Sequence, residues 1–177
     1  MLLRKAEIAE IDRILEILAD GRRTLAEANI NQWQGGYPQR DVIERDINSC
    51  ESYVVEDEDG SLAATAMLSF RGEQDYSIIK DGAWLVDSPE SAPCFAVIHR
   101  VAVDSQKKGK GAAGLILRGA EEIVYEKGFR SIRIDTHADN IPMQRLLEKE
   151  GYTHCGTIFV DHSGELSSAR MAFEKLL

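Results

Sequence analysis

The sequence predicts a single α/β domain with a mixed β-sheet flanked by helices, and three observations carry that reading. From Phe95 to Glu150 the pattern runs strand, helix, strand, helix, an order that implies a parallel strand pair joined by a crossover helix. Two further strand pairs, Ser52 to Asp57 with Leu62 to Phe70 and Thr153 to Val160 with Ser167 to Glu174, read as hairpins, so the sheet also contains antiparallel neighbours. The chain has 177 residues, 44% of them hydrophobic and 29% charged, which suffices for one sizeable core and leaves no segment polar enough to stay unfolded. No repeat, low-complexity tract or linker divides residues 1–177.

After a short apolar start, Ile8, Ile11, Leu15 and Leu18 recur at helical spacing. Asp20-Gly21 is a weak break before a second helical stretch through Leu25 and Ala28, giving a helix pair or one bent helix. Gln32-Trp33-Gln34-Gly35-Gly36-Tyr37-Pro38 is a loop by its glycines and proline, and Val42, Ile43 and Ile47 mark a short helix after it. In the first hairpin, Glu58-Asp59-Gly60 makes the turn and Leu62, Ala64, Ala66, Leu68 and Phe70 share one face. From Gly72 to Pro93 the pattern dissolves into a long polar segment carrying Tyr76, Ile78, Ile79 and Trp84, the kind of loop that serves as a lid or a substrate wall. Phe95 to Val103 reads as a strand buried on both faces. Ala112 to Lys127 reads as a helix with Ala113, Ile116, Leu117, Ala120 and Val124 as its core stripe and Gly128 as its stop. Ser131 to Asp135 is a strand, and a helix from Asn140 to Glu150 ends at Gly151. The final hairpin turns at Asp161-His162-Ser163-Gly164.

A net charge of -9 and a pI near 5.0 argue against a nucleic-acid partner, since such binding rests on Lys and Arg neutralising phosphates. No apolar run approaches the span of a bilayer and the start lacks the regions of a signal peptide, so no membrane association and a cytoplasmic location are expected. Cys50, Cys94 and Cys155 are widely spaced and have no partner at metal-ligand spacing, so buried thiols and no metal site are expected. An exposed terminal hairpin could pair with a second copy to give a homodimer.

The strand ending at Val103 runs through Asp104-Ser105-Gln106-Lys107-Lys108-Gly109-Lys110-Gly111 directly into a helix. Glycines let the backbone approach an anion closely, and the first N–H groups of the helix point their unpaired donors and positive dipole end at it. Lys107, Lys108 and Lys110 concentrate positive charge there in an otherwise acidic chain. By itself the fragment reads equally as a phosphate cradle or a plain turn. A Walker loop is excluded, because no Ser or Thr follows a Gly-Lys pair. The dinucleotide spacing Gly109-x-Gly111-x-x-Gly114 is present, but a late turn in a mixed chain is a poor home for that fold.

Gln106-x-x-Gly109-x-Gly111, with the overlapping Lys108-x-x-Gly111-x-Ala113, resembles the cofactor motif of the GCN5-related N-acetyltransferase (GNAT) superfamily. Val101-Ala102-Val103-Asp104 looks like that family's central strand end, and Asn140-x-x-Met143-x-x-Leu146-Leu147-Glu148-Lys149-Glu150-Gly151-Tyr152 resembles its second marker helix. The resemblance implies a central twisted mixed sheet that splays between the strands ending at Val103 and Asp135, with acetyl-CoA as acetyl donor in the split. It further implies backbone pairing of Val101 and Val103 with the pantetheine arm, pyrophosphate binding by the N–H groups of Lys108, Gly109, Lys110, Gly111, Ala112, Ala113 and Gly114, and a pantetheine contact from Asn140. The expected reaction is direct attack on the thioester by a primary amine of a small molecule or peptide. An inactive CoA-binding sensor or a partner-binding domain is the alternative.

The family's usual proton donor is a Tyr where this chain has Leu147, and Tyr152 stands at an aromatic packing position. A neutral imidazole can take an ammonium proton near pH 7, so His99 and His137, on either side of the expected split, are the candidate catalytic groups. Arg100 beside His99 is a candidate acceptor-binding residue, and Asp135, Asp139, Glu73 and Asp75 are further carboxylates that could serve as base or amine ligand. Trp33, Tyr37, Tyr76 and Trp84 lie in irregular segments and are expected to wall an acceptor pocket, whereas His154 and His162 are expected at the surface.

Overall fold

The computed structural model describes residues 1–89, 91–160 and 169–177. The apolar start is a strand, β1 (Leu2–Lys5), paired antiparallel with β2 (Ser52–Glu56); four residues are too few to display a period. The expected break at Gly21 is absent, and α1 (Ile11–Glu27) runs through it as one helix. A Cβ there would lie 3.3 Å from Trp33 Cζ3 and 3.4 Å from the Ala102 Cβ, so the glycine lets the helix approach the sheet closely. The loop carrying Trp33 and Tyr37 leads into α2 (Arg40–Asn48).

The first hairpin joins β2 to β3 (Leu62–Ser69). Its second strand was expected to carry its apolar residues on one face, but every position of β3 is buried. Helices cover both sides of it: α1 packs on one face and α3 (Ala112–Glu126) on the other. The remaining elements are β4 (Phe95–Val103), β5 (Ser131–Thr136), α4 (Ile141–Lys149), β6 (Thr153–Phe159) and β7 (Ala169–Leu176). The described residues thus form a seven-stranded sheet of order β1-β2-β3-β4-β5-β7-β6. Only β4 and β5 are parallel, joined by the crossover helix α3. The turn expected at 161–164 and the expected strand start at Ser167 lie outside the described residues.

Side chains alternate between the two faces. On one face Ile98, Ile116, Leu117, Ile132 and Leu147 pack beneath α3 and α4. On the other, Ile14, Ile17, Ile43, Ile47 and Val54 pack beneath α1 and α2, while Tyr76, Val97, Ile158 and Ala172 form a separate cluster beneath the long loop after β3. Ala113, expected in the stripe of α3, is only half-buried, and Ala112 takes the core position.

That long loop is a wall fixed to the sheet. The Arg133 guanidinium lies between the rings of Trp84 and Phe95, at 4.2 and 3.8 Å, and pairs at 2.9 Å with the fully buried Glu174. Glu174 also accepts the Leu85 N–H at 2.5 Å, and Arg133 donates to the Val86 carbonyl at 2.5 Å, so a buried ion pair holds the loop backbone down.

α3 ends at Gly128 and α4 at Gly151, both at positive φ with the double hydrogen-bond closure that satisfies the last carbonyls. Asn29 and Cys50 close α1 and α2 in the same conformation. Cys50 is accordingly exposed and Cys94 half-buried; of the thiols expected to be buried, Cys155 alone is.

Candidate active site

Pairing of β4 with β5 extends only from Phe95↔Ser131 to Val97↔Arg133. Beyond Val97 the strands part, while β4 continues with β3 and β5 continues with β7 to Thr136↔Met171. The opening is sharpened by a bulge in β4: Thr65 and Met67 face Ala102 and His99, so β4 carries one extra residue there, and Arg100 has φ +56°. A cavity of about 260 Å³ fills the split, walled by β4, β5, α1, the loop after α1 and the start of α4.

One end of the split is the glycine turn. Asp104 accepts the Gln106 N–H at 2.7 Å and pairs with Arg13 of α1, while Asp20 accepts from the N–H and hydroxyl of Ser105 at 3.1 and 2.7 Å. The turn is therefore stitched to α1 by side-chain contacts. Gly109 and Gly111 have φ +78° and +88°, and a Cβ at either would meet nothing within 4 Å, so they are glycines for conformation and face open space. Among the described residues, no protein acceptor takes the backbone N–H groups of Lys108 through Gly114. A run of unpaired donors at the start of a 15-residue helix suits a pyrophosphate.

The lysines divide. Lys107 is engaged by Asp57 and Asp59 of the β2–β3 turn at 2.6 and 3.1 Å, Lys108 donates to the Thr24 hydroxyl at 2.7 Å, and Lys110 is exposed. Val101, Val103, Lys108, Ala113 and Asn140 line the cavity, whereas Ala112 and Gly114 are buried. Asn140 Oδ1 caps α4, accepting the Met143 N–H at 3.4 Å.

The other end carries three ionic contacts. His99 Nε2 lies 3.0 Å from Glu73 Oε2, and this bond, with backbone N–H groups of Asp75 and Gln74, holds the Glu73 carboxyl below its usual range. Arg100 pairs with Asp46 of α2 at 2.6 Å, both side chains being buried, and donates to the Tyr37 hydroxyl. Burial pushes the Asp46 carboxyl up while Arg100 pulls it back. Across the split, Asp135 accepts from the Tyr76 hydroxyl at 2.6 Å and lies 3.9 Å from Arg170 Nε.

Trp33, Tyr37, His99 and Arg100 line this cavity together. Tyr76 and Trp84 do not line it; they stack on one another at 5.3 Å behind the wall, and Tyr76 meets the site through its bond to Asp135 and an edge-on contact with His99 at 6.0 Å. His137 also lies outside the cavity lining, its Nδ1 accepting the Asp139 N–H at 3.2 Å and its basicity lowered first by burial and then by Arg170. His154 is exposed on β6, and His162 lies outside the described residues. Leu147 is fully buried in the core, and burial raises the Tyr152 phenol far above its ordinary range.

Asp46 and Arg170 escaped the sequence reading. Asp46 sits among Ile43 and Ile47 on the inward stripe of α2, and a carboxylate on an apolar stripe is a signal that could have found it. Arg170 shares its strand face with Ala172 and Glu174, an inward register that only the sheet reveals. Among the described residues no cluster of His, Cys, Asp or Glu could hold a metal ion, and no helix is long and apolar enough to cross a membrane.

A mixed open sheet split after one short parallel pairing, with a donor-rich glycine turn at one end of the split, defines an acyl-CoA-type transferase fold. The model of the acetyltransferase (GNAT) family matches residues 18–152, and the chain belongs to that family. An acetyltransferase of the GNAT family from Streptococcus agalactiae 2603 is 31% identical, with 99% of this chain and 95% of that one covered and a TM-score of 0.86. A GNAT-family acetyltransferase from Listeria monocytogenes 4b F2365 (20% identical, 99% and 94% covered, TM-score 0.73) and a ribosomal-protein-alanine N-acetyltransferase from Brucella melitensis (18% identical, 100% of each chain covered, TM-score 0.71) share the fold. Among curated proteins none matches the chain significantly. Acetyl transfer from acetyl-CoA is general to the family.

Proposed function

We propose that the chain is an acetyl-CoA-dependent N-acetyltransferase that acts on a primary amine, with His99 as its proton acceptor. The observation that carries this reading is the pairing of a donor-rich turn at one end of the split with a carboxylate-held imidazole lining the same cavity. Acetyl-CoA, when bound, supplies an acetyl group activated on a thioester sulfur. The N–H groups of Lys108 through Gly114 would take its pyrophosphate, Val101 and Val103 the pantetheine arm, and Asn140 the chain near it.

An ammonium is not a nucleophile, so the acceptor must lose a proton before attack. The Glu73 carboxylate accepts from His99 Nε2, which leaves Nδ1 as the basic nitrogen of the neutral ring. Glu73 stabilises the imidazolium once the proton has arrived, and its partial exposure gives that proton a route to solvent. Tyr37 and Trp33 close the acceptor side, limiting the water that competes with the amine.

Calorimetry with acetyl-CoA tests the cofactor half: millimolar cofactor producing no heat would sink it. His99→Ala should lower turnover about 100-fold or more while acetyl-CoA affinity holds. Equal turnover would remove His99 from the chemistry. A CoA-binding sensor is the second reading, favoured by Leu147 standing in the core where the family's proton donor would be. Cofactor binding with no thioester consumption across a broad amine panel would select it.

A further inference from the structure

We propose that Asp46 of α2 is a positioning residue for acetyl transfer: through Arg100 it holds the left-handed bulge in β4 that sets His99 in the split. This rests on the acetyltransferase reading and adds a residue that acts on the same site through another.

In β4, His99 and Ala102 face Met67 and Thr65, so three steps along β4 match two along β3. Side chains of a regular strand alternate, and residues three apart fall on opposite faces. The extra residue brings both to one face. His99 lines the cavity and Ala102 packs beneath α1, while Ile98, Val101 and Val103 pack on the side of α3. The residue that absorbs the mismatch is Arg100, at φ +56°. An extended Arg100 would restore strict alternation and turn either His99 or the strand end at Val103 to the other face.

A left-handed arginine has to be held by its surroundings. Its side chain and that of Asp46 are each 9% exposed, and Arg100 Nη2 lies 2.6 Å from Asp46 Oδ2. Arg100 Nη1 donates to the Tyr37 hydroxyl, so α2 and the loop before it both grip the guanidinium. A buried ion pair adds little net stability over apolar packing of the same volume, but its hydrogen-bond geometry fixes direction. Asp46 shares the inward stripe of α2 with Ile43 and Ile47, where an apolar side chain would serve packing alone. Burial raises its carboxyl, and Arg100 and then His99 lower it, so the imidazole lies within electrostatic reach of the same carboxylate.

The test is a double-variant cycle read by thiol release from acetyl-CoA, with propylamine, ethanolamine, spermidine and a short peptide with a free N-terminus as acceptors. Acetyl-CoA calorimetry counts the folded sites. Asp46→Asn removes the charge and keeps an acceptor for Arg100. It should lower kcat about tenfold, with amine KM and acetyl-CoA affinity within about threefold of the parent's. Arg100→Ala should lower kcat by at least as much. Arg100→Gly adopts the left-handed conformation with no side chain to hold, so it should recover about tenfold in kcat over Arg100→Ala. In the Arg100→Gly background, Asp46→Asn should change kcat by less than about twofold, because the residue through which it acts is gone.

A role confined to stability would lower the melting temperature and the number of binding sites while kcat per site held, and that result overturns the inference. Arg100→Gly no more active than Arg100→Ala, or an equal loss from Asp46→Asn in both backgrounds, overturns it too. An amine KM raised with kcat unchanged would put Arg100 on the acceptor instead. In an active enzyme these outcomes remove the inference alone. Acetyl-CoA binding with no turnover of any of these amines, or no binding at all, removes the acetyltransferase reading together with it.

Discussion

His99 and Glu73 come from different elements, β4 and the loop after β3, and a hydrogen bond of 3.0 Å joins them. Because the Glu73 carboxyl is held below its ordinary value of 4.5, the folded state binds its proton less readily than the unfolded chain does. The stability it contributes is complete above about pH 4.5 and is lost as pH falls through the lower folded value. Thermal melts of the parent and Glu73→Gln from pH 7 to pH 3 should therefore show a gap that narrows on the acid side. A gap of constant size would mean that the bond does not set the carboxyl's acidity. Arg100 shows a second residue-scale device: a left-handed backbone at the bulge, a conformation that costs a non-glycine residue about 1–2 kcal/mol, is held where Asp46 and Tyr37 grip the guanidinium.

At the scale of elements, the glycine turn combines a conformation only glycine adopts readily with side-chain struts from α1. Gly111 is the N-cap of α3 at φ +88° and its absent side chain faces open space, so Gly111→Ala tests conformation without a clash. It should destabilise the turn by about 1–2 kcal/mol and weaken acetyl-CoA binding by up to about tenfold, read by calorimetry, with the fold retained. Affinity equal to the parent's would show that the turn tolerates relaxation. The turn's local chemistry was legible in the sequence because Gly109, Gly111 and the helix that follows are adjacent along the chain. The fate of Lys107 was not, since its partners Asp57 and Asp59 lie on another hairpin.

For the whole molecule, the decisive feature is that one sheet carries both a split and the clamp that keeps the loop after β3 in place. The fully buried Glu174 holds Ser131, Arg133 and the backbone of Leu85, and through them the loop that bears Glu73 and Tyr76. Removing one partner of a buried pair strands the other charge, so Glu174→Ala should cost about 3–5 kcal/mol in denaturant unfolding. A loss below about 1 kcal/mol would mean that the wall stands without its clamp.

By itself the sequence determined the strand–helix order, the crossover that makes β4 and β5 parallel, the glycine turn and the helix stops at Gly128 and Gly151. These are local patterns, set by side-chain period and by backbone conformations that glycine alone adopts easily. Tertiary structure decided the end of the split that bears His99. Glu73 meets His99 across 26 residues and Tyr76 meets Asp135 across 59, and no period links such positions. It likewise turned Tyr76 and Trp84 from pocket aromatics into the packing behind it and left His137 outside the cavity lining. Which side chains face the split depends on sheet register, on the bulge at Arg100 and on where β4 leaves β5, all of which arise only when distant strands pair.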